Sequence, residues 1–515
     1  MFHQTLRRHI SFHRLMLSVL VVFVGIKPAF VSAQETLLTL DQAIGIALQQ
    51  GYQMKTLTLN LLSAEQNYLS AKYRFRTNVN MDFSLPSWSE RLSPVQVPNA
   101  LPIYNSVGSM QYLGQLSINQ PLPTDGTLTL SSQAYQSKET NFIASTEEEL
   151  KQKVFVSSLS LRLTQPLFTY NRLQTSLRRA ELNYESSNLS LKRTQLDVVY
   201  QVNQAFFNLY RQTRTFEINQ ETLNQRQEAY DLARLKYEAG LIPEVEALQM
   251  EVDLADAQAT FYQTESDLQR QKDSFKQTLG LELSDEVGVD TEIVYKHFDI
   301  DMEKAVQFGL ENRYELRENE ITLELRRISV IETDAQSEIS ANLTASYDFT
   351  GRSDQTLPVS TSTRDLFDSS IDDLERRPAN RGITLTVSLP VWDWGVNKAQ
   401  VASAEANLRR AELDMAEEQK TIENGVREVV RSVISAENRM VVLEKSQEVA
   451  QRNYDISLER FSNGEITSQD LALDSNRLSS ARLSYLNAYI TYNLAVANLK
   501  RQTLWDFEKN VSLVE

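Results

Sequence analysis

Two carboxylates occupy equivalent places in the two halves of the chain, and together they could attract cations. Glu246 and Asp470 each lie six residues after a glycine, Gly240 in one half and Gly464 in the other. Carboxylate oxygens are the ligands that hard divalent cations prefer. A structural role is the alternative, because residues 467–470 read Thr-Ser-Gln-Asp, a capping box that would place the Asp470 carboxylate at a helix N-terminus. The two roles are compatible with one another.

Few other residues in the chain could carry chemistry. There is no cysteine, and three of the four histidines fall within the first 13 residues, which leaves His297. A cysteine nucleophile and a zinc–thiolate site are excluded, and histidine general-base chemistry and a multi-histidine metal site are nearly excluded. We predict no catalytic residue, no cofactor and no metal site, and we expect His297 to be an exposed linker residue. A formal net charge of −16 disfavours nucleic acid as a partner.

The elements that must position the two acids are two very long helices. Six apolar residues stand seven apart from Val202 to Tyr237, and the pattern recurs 224 residues later from Val426 to Phe461, with one polar exception at Gln447. Such sustained spacing is typical of helices packed in a coiled coil. The proline-free stretches 171–238 and 395–462 would each extend about 100 Å at about 1.5 Å per residue.

Each long helix is followed by a tight reversal and a shorter helix. Gly240 and Gly464 come just after the last apolar position of the spacing, where glycine provides a left-handed helix end. The seven-residue spacing then resumes within 243–280 and 467–505. Each half of the chain is therefore predicted to be an antiparallel helical hairpin.

The whole chain reads as a tandem duplication. A helix start at Thr39-Leu40-Asp41-Gln42-Ala43 has a counterpart at 300–305. Repeat 1 is predicted at 36–285, with a helix, strands at about 78–165, a long helix at 171–238 and a helix at 243–280. Repeat 2 is predicted at 298–507, with a helix, strands at about 341–350 and 382–390, a long helix at 395–462 and a helix at 467–505. A linker at 286–297 and a tail at 508–515 complete the division.

The first residues have the features of an export signal. Residues 1–14 carry three arginines and no acid, residues 15–26 are predominantly apolar, and Val31-Ser32-Ala33 offers a small-residue cleavage site. The apolar run is too short to span a bilayer. We therefore predict a signal peptide at 1–33, and an uncleaved N-terminal anchor is the alternative.

Alternating apolar and polar residues predict strands in both repeats. Ile383, Leu385 and Val387 alternate with Thr384 and Thr386, for example. This alternation suits a membrane barrel and equally a soluble sheet half buried on a core, and the export signal and absent cysteines favour the barrel. A turn at 123–126 adds a hairpin to repeat 1, which makes six candidate strands, too few for one chain to close a roomy barrel. The polar stretches 87–110, 137–154 and 351–381 are expected to be long loops.

Taken together, these features resemble the TolC-like outer-membrane efflux protein (OEP) family. The resemblance rests on the duplicated helix–strand–strand–helix order, on 39–43, on 164–168 with 388–392, and on the turns 234–240 and 460–464. It implies a mainly α fold with membrane β, in which long antiparallel coiled-coil helices form an α-barrel tunnel. The β-strands would contribute to a shared trimeric transmembrane β-barrel. Family members usually give four strands per chain, so the number here, four or six, stays open.

The resemblance also implies partners and a location. The chain would be a homotrimer in contact with outer-membrane lipid of a Gram-negative bacterium, with a periplasmic helical extension. An inner-membrane pump would feed it through a periplasmic membrane-fusion adaptor protein, in an efflux or type I secretion system. A surface-anchored structural or adhesin-like coiled-coil protein without transport is the alternative, and the strand segments inside the helical repeats argue against it.

Residue roles follow from the same resemblance. Asp470 matches the family's acidic position at the periplasmic aperture, where a trimer would gather six carboxylates from Glu246 and Asp470 and so favour cations. Apolar residues at the turns are expected to be exposed for adaptor docking. The docking residues are Gly240, Leu241, Ile242, Gly464 and Ile466. Tyr237 and Phe461 are expected to pack together as a gate.

Overall fold

The structure, a computed structural model, describes residues 36–513 except 97–100, 144–147, 291–296 and 355. The predicted export signal at 1–33 lies outside these residues. Within them the chain is mostly helical, with one large antiparallel sheet. The predicted fold class, mainly α with a β portion and an internal duplication, is confirmed.

The helices come in matched sets from the two repeats. Repeat 1 begins with two short helices and continues with a helix of 67 residues and one of 36, and repeat 2 repeats the last two lengths. None of the helices in the described ranges is long and apolar enough to cross a membrane. In chain order the described helices are α1 (Leu40–Gln50), α2 (Tyr52–Tyr73), α3 (Arg172–Glu238), α4 (Glu244–Leu279), α5 (Met302–Asn312), α6 (Tyr314–Asp334), α7 (Thr363–Arg376), α8 (Val396–Ser462) and α9 (Ser468–Thr503).

The described strands are numbered in chain order: β1 (Thr36–Leu38), β2 (Asn78–Val95), β3 (Ile103–Pro121), β4 (Thr127–Ile143), β5 (Glu148–Leu167), β6 (Val287–Val289), β7 (Ser340–Arg352), β8 (Asn380–Ser388), β9 (Trp505–Asp506) and β10 (Val511–Ser512). Six of them form one sheet in the order β2-β3-β4-β5-β7-β8, and every neighbouring pair is antiparallel. Four of these six come from repeat 1 and two from repeat 2, so the chain contributes six strands and not four.

The prediction of three long loops was wrong about their length. Most of 87–110 and 137–154 belongs to strands, and the stretch 351–381 contains α7. Polar residues pair across these outer parts of the sheet, as Lys138 does with Lys153 and Glu139 with Gln152. Backbone ladders continue where both faces are polar, so loss of the apolar alternation marks the end of the apolar surface and not the end of the strand.

The main core lies where the first helices of both repeats pack on the long helices. Ala43 of α1 and Ala305 of α5 belong to one buried cluster with Val202 and Phe206 of α3 and Val426 of α8. Four short strands were not anticipated. β9 pairs with β10 near the end of the described chain, and β1 pairs in parallel with β6, which lies within the predicted linker. Because β1 opens repeat 1 and β6 follows it, this pair closes the repeat on itself at the end of the helical hairpin away from the turn.

Candidate functional site

Two glycine turns form one end of the helical part of the chain. Gly240 and Gly464 adopt left-handed backbone conformations with φ of 73° and 77°. In the first turn the Gly240 N–H donates to the Tyr237 carbonyl and the Leu241 N–H donates to the Lys236 carbonyl, at 2.8 and 2.9 Å. The second turn repeats both bonds at equivalent residues. These are the bonds of a Schellman helix end, which glycine adopts without the strain that a Cβ brings.

The apolar residues at the turns are not all exposed, and this corrects an expectation. Leu241 is 73% exposed, whereas Ile242 and Ile466 are partly buried against a cluster that contains Met250 and Leu471. Ile466 precedes the N-cap of α9, and Leu471 is the fourth residue of that helix. An apolar residue before the N-cap packs back on this fourth position as a hydrophobic staple, which buries part of the Ile466 side chain.

The expected gate pair Tyr237 and Phe461 is divided by the structure. Phe461 is 1% exposed and lies in the same cluster as Leu471, whereas Tyr237 is 41% exposed and is not part of it. The two residues occupy equivalent heptad positions, but the two hairpins lie side by side, so the same face of each hairpin does not point to the contact between them. Equivalent positions can therefore have different surroundings: Phe461 is buried in a cluster that contains residues of both hairpins, and Tyr237 lies outside that cluster.

A buried lysine that the sequence analysis missed lies beside Phe461. Lys236 of α3 donates from Nζ to the Phe461 carbonyl oxygen near the C-terminus of α8, and Nζ lies 4.5 Å from the centre of the Phe461 ring. A cation at a helix C-terminus interacts favourably with the helix dipole and can donate to the carbonyls of the last turn. Lys236 therefore joins the two hairpins at their turns. Only its lack of an acidic neighbour at helical spacing could have hinted at a distant partner.

Asp470 caps its own helix. The Thr467 N–H and hydroxyl both donate to Asp470 Oδ2, at 3.1 and 2.8 Å, and the Asp470 N–H donates to Thr467 Oγ1. The predicted capping box is confirmed. These bonds from the Thr467 side chain and backbone, with the more distant charge of Arg460, hold the pKa of Asp470 below its ordinary value.

Glu246 lies in the first turn of α4 and reaches the other hairpin. Ser468, buried at the start of α9, donates from Oγ to Glu246 Oε2 at 3.4 Å. The structure thus places Glu246 beside the helix N-terminus that carries Asp470, and both acids lie in the electropositive first turns of helices. Among the residues that the structure describes, no group of three or more potential ligands could hold a metal ion.

Farther from the turns, a buried arginine links three helices. Arg226 of α3 donates from Nη2 to Asn476 Oδ1 of α9 at 2.8 Å and to the Ala472 carbonyl at 3.4 Å. Its Nη1 also lies 3.6 Å from Asp253 Oδ2 of α4. A buried guanidinium must have such partners, because an unpaired charge in the interior is costly. Arg226 therefore holds α9 against the hairpin formed by α3 and α4.

A groove between α8 and α9 leaves apolar side chains uncovered. Val442 is 68% exposed, and Val441, Val449 and Leu473 are about half exposed beside it.

His297 is exposed, as expected, but its Nδ1 lies 2.6 Å from Glu437 Oε1, and this carboxylate raises the pKa of His297.

The chain matches a family model over most of its length. The model of the outer membrane efflux protein family matches residues 127–281 and 304–503, one segment in each repeat. The segment before 127, which includes β2 and β3, is outside the match. A comparison with curated proteins gives no match.

Solved structures of outer-membrane channels share the fold. The Campylobacter jejuni CmeC outer membrane channel is 15% identical, with 92% of this chain and 87% of that chain covered and a TM-score of 0.66. The Vibrio cholerae outer membrane protein VceC is 16% identical, with 91% and 97% covered and a TM-score of 0.63. The Neisseria gonorrhoeae MtrE outer membrane channel, in its open state, is 14% identical, with 92% and 90% covered and a TM-score of 0.63. The family match and this shared architecture show that the chain belongs to the outer membrane efflux protein family and acts as an efflux duct of the outer membrane.

Proposed function

We propose that the chain is the exit duct of a tripartite efflux or type I secretion system. Three copies form a passive conduit, driven by an inner-membrane pump through a periplasmic membrane-fusion adaptor. The observation that carries the proposal is the pairing of a six-stranded sheet, open at both edges, with two long hairpins whose turns come together at one end. The sheet suits the membrane and the hairpins suit a tunnel that crosses the periplasm.

Assembly from several copies follows from surfaces that a single chain leaves uncovered. The apolar faces of β2 and β8 are exposed and suit lipid, because Met81 and Leu385 point to the same side of the sheet as their apolar neighbours. The groove around Val442 is a helical surface that a neighbouring copy would bury. Exposed apolar groups on long helices indicate an interface.

The turns are the proposed gate and docking end. Of the three apolar residues predicted to dock an adaptor, Leu241 is the one that remains exposed, and the backbone around Gly240 and Gly464 is available beside it. Ile242 and Ile466 support these turns from inside, and Tyr237 is available to pack against a neighbouring copy. Lys236 and Arg226 hold the two hairpins together, so the closed state is the one in which their bonds are made.

The proposed aperture acids have a double role. Asp470 and Glu246 orient the starts of α9 and α4, and three copies would bring six such carboxylates around one opening. Crowded carboxylates raise the local concentration of cations and favour cation passage. We expect the isolated duct to have small conductance, cation preference and block by millimolar divalent cations.

Reconstitution with its partners tests the proposal. The chain is expressed in an efflux-deficient Gram-negative host with a pump and an adaptor cloned from the same source genome, and retention of a fluorescent pump substrate is measured. Export should require all three proteins, and detergent-extracted chain should be trimeric by native mass spectrometry. A monomer with a closed channel, or export that is unchanged when this chain is omitted, would contradict the proposal.

A further inference from the structure

Within the described residues the large sheet has two free edges, one on β2, which lies before the family match, and one on β8, which lies inside it. β4 is paired with β3 on one side, from the pair of Phe142 with Ser106 to the pair of Thr127 with Pro121. On its other side β4 is paired with β5 along its whole length. Across the described strands of this sheet, the edges without a partner strand are those of β2 and β8. In a bilayer the N–H and C=O groups of both edges must find partners.

The register shows that this sheet is strongly sheared. One line of directly paired residues crosses all six strands, through Asn78, Asn119, Thr129, Arg162, Ser346 and Gly382. The line starts at the first residue of β2, at the end of the sheet next to the helices. It reaches β8 at Gly382, which is six residues before Ser388, where β8 ends next to the helices.

That shear has the size of a closed barrel. Six residues over five strand-to-strand steps is about 1.2 residues per step. With about 3.3 Å per residue and about 4.8 Å between strands, the strands tilt by about 40° from the axis of a barrel whose rim is the end of the sheet next to the helices. Strands of closed membrane barrels tilt by about 35–45°. The six strands therefore have the geometry of an arc of a closed barrel, with β2 and β3 as full members of that arc.

We propose that β8 of one copy pairs with β2 of the next, so that three copies close an eighteen-stranded barrel. The number of copies, three, rests on the proposed function. The number of strands per copy and the choice of β8 and β2 as the joining strands rest on the order and register of the sheet. β2 runs away from the helices and β8 runs toward them, so the join is antiparallel like every other pair in the sheet. The family's usual twelve strands would require β8 to reach β4, whose edge β3 already occupies.

The register at the join is limited to two choices. Residues directly opposite each other point to the same face, so the polar Thr386 must meet a polar residue of β2 for the apolar rows to stay together. The join is the sixth strand-to-strand step, and a shift of about 1.2 residues there brings the total to about seven residues. Thr386 then lies opposite about residue 81 of the next copy, and the polar residues nearest to that position are Asn80 and Asp82. Both positions lie before the register shift of β2 between Ser84 and Ser87.

The barrel that results is wide. Eighteen strands at this tilt give about 36 Å between opposite backbones, against about 24 Å for twelve, because the diameter grows with strand number. The barrel would therefore not be the narrowest part of the duct, and the helical turns would set its conductance.

Cysteine cross-linking tests the join, and the chain offers a clean background because it has no cysteine of its own. Thr386→Cys is combined with Asn80→Cys or with Asp82→Cys, and the purified trimer is oxidised and separated under denaturing conditions. We expect covalent dimers and trimers from one of the two pairs. The matched controls combine Thr386→Cys with Thr129→Cys or with Ser131→Cys of β4, and they should stay monomeric, as should each single variant.

The outcomes separate the inference from the function on which it rests. Trimers that cross-link through β4, or that cross-link at neither β2 position, overturn the join. Electron microscopy of the unmodified trimer gives an independent reading, since eighteen strands support the inference and twelve overturn it while leaving the duct in place. A chain that never assembles beyond a monomer overturns the proposed duct, and the inference falls with it.

Discussion

Removing the guanidinium of Arg226 should favour the open state of the duct. Arg226→Met keeps an apolar stem in the buried site but loses the bonds to Asn476 and to the Ala472 carbonyl, and the weaker pairing with Asp253. Hydrogen bonds to a charged group contribute about 1.5–3 kcal/mol. A loss of about 2 kcal/mol in the contact between α9 and the hairpin of α3 and α4 corresponds to about a 30-fold shift between closed and open states.

Single-channel recording in planar bilayers measures this shift as the fraction of time spent at the larger conductance. Asn476→Leu removes the partner, and the double variant completes a cycle in which we expect about 1.5–2 kcal/mol of coupling between the two residues. Arg410→Met is the matched control, because Arg410 is an exposed arginine of α8 that lies 3.9 Å from Asp414. Exposed pairs of this kind contribute little, so this variant should behave as the unmodified chain.

The reasoning would be refuted by additive effects of Arg226→Met and Asn476→Leu, or by open-state occupancy within twofold of the control in all three variants. Additive effects would mean that the bond between Arg226 and Asn476 does not set the balance of closed and open states. Unchanged occupancy would mean that the bonds of Arg226 stabilise the folded hairpins without distinguishing closed from open.

Four further predictions concern the turns, the acids and the sheet. Gly464→Val should reduce export while leaving the chain inserted, because a β-branched residue at φ of 77° is strained by about 1–2 kcal/mol although nothing lies within 4 Å of the added Cβ; unchanged efflux would count against docking at the turns. Replacing both Glu246 and Asp470 with alanine should weaken cation preference and divalent block in bilayers, and wild-type selectivity would leave the two acids as helix caps only. Because the pKa of Asp470 is lowered, its stabilisation is present above its ordinary pKa and is lost as the pH falls through the lowered value. The difference in thermal unfolding between the unmodified chain and Asp470→Ala should therefore shrink in acid, and a constant difference would contradict the capping role. Leu385→Arg on the apolar face should destabilise the inserted sheet by about 2–4 kcal/mol and Thr386→Arg by less, as measured by denaturant unfolding in lipid; equal effects would reverse the assignment of the faces.

The long hairpins could be predicted from sequence because they are determined by local signals. The seven-residue spacing from Val202 and from Val426 requires helices, and glycine at 240 and 464 requires helix ends. The capping box at Thr467 and Asp470 is likewise contained within four residues. Each of these signals is complete within one or two turns of helix, so no knowledge of tertiary packing is needed to interpret it.

The predictions that the structure corrected concern tertiary contacts, which depend on the surface that each residue packs against. Tyr237 and Phe461 have the same place in the heptad, yet Phe461 is buried in the cluster shared by both hairpins and Tyr237 is partly exposed outside it. Lys236 finds its acceptor 225 residues away in sequence, at a backbone carbonyl, which has no side-chain signature. Ile466 was taken to be exposed because a turn usually is, but its position before the N-cap directs it inward. The outer strands were missed because polar residues on both faces leave no periodic signal.

The equal lengths of the two hairpins limit how this chain can change over evolutionary time. Both long helices have 67 residues and both short helices have 36, and the contacts of Lys236 with Phe461 and of Ser468 with Glu246 require the two turns to lie level. A seven-residue insertion into one repeat alone would move its turn by about 10 Å and separate those partners. A lineage that needs a longer or shorter duct must therefore alter both repeats by the same number of heptads, and insertions and deletions in the long helices should be found in pairs.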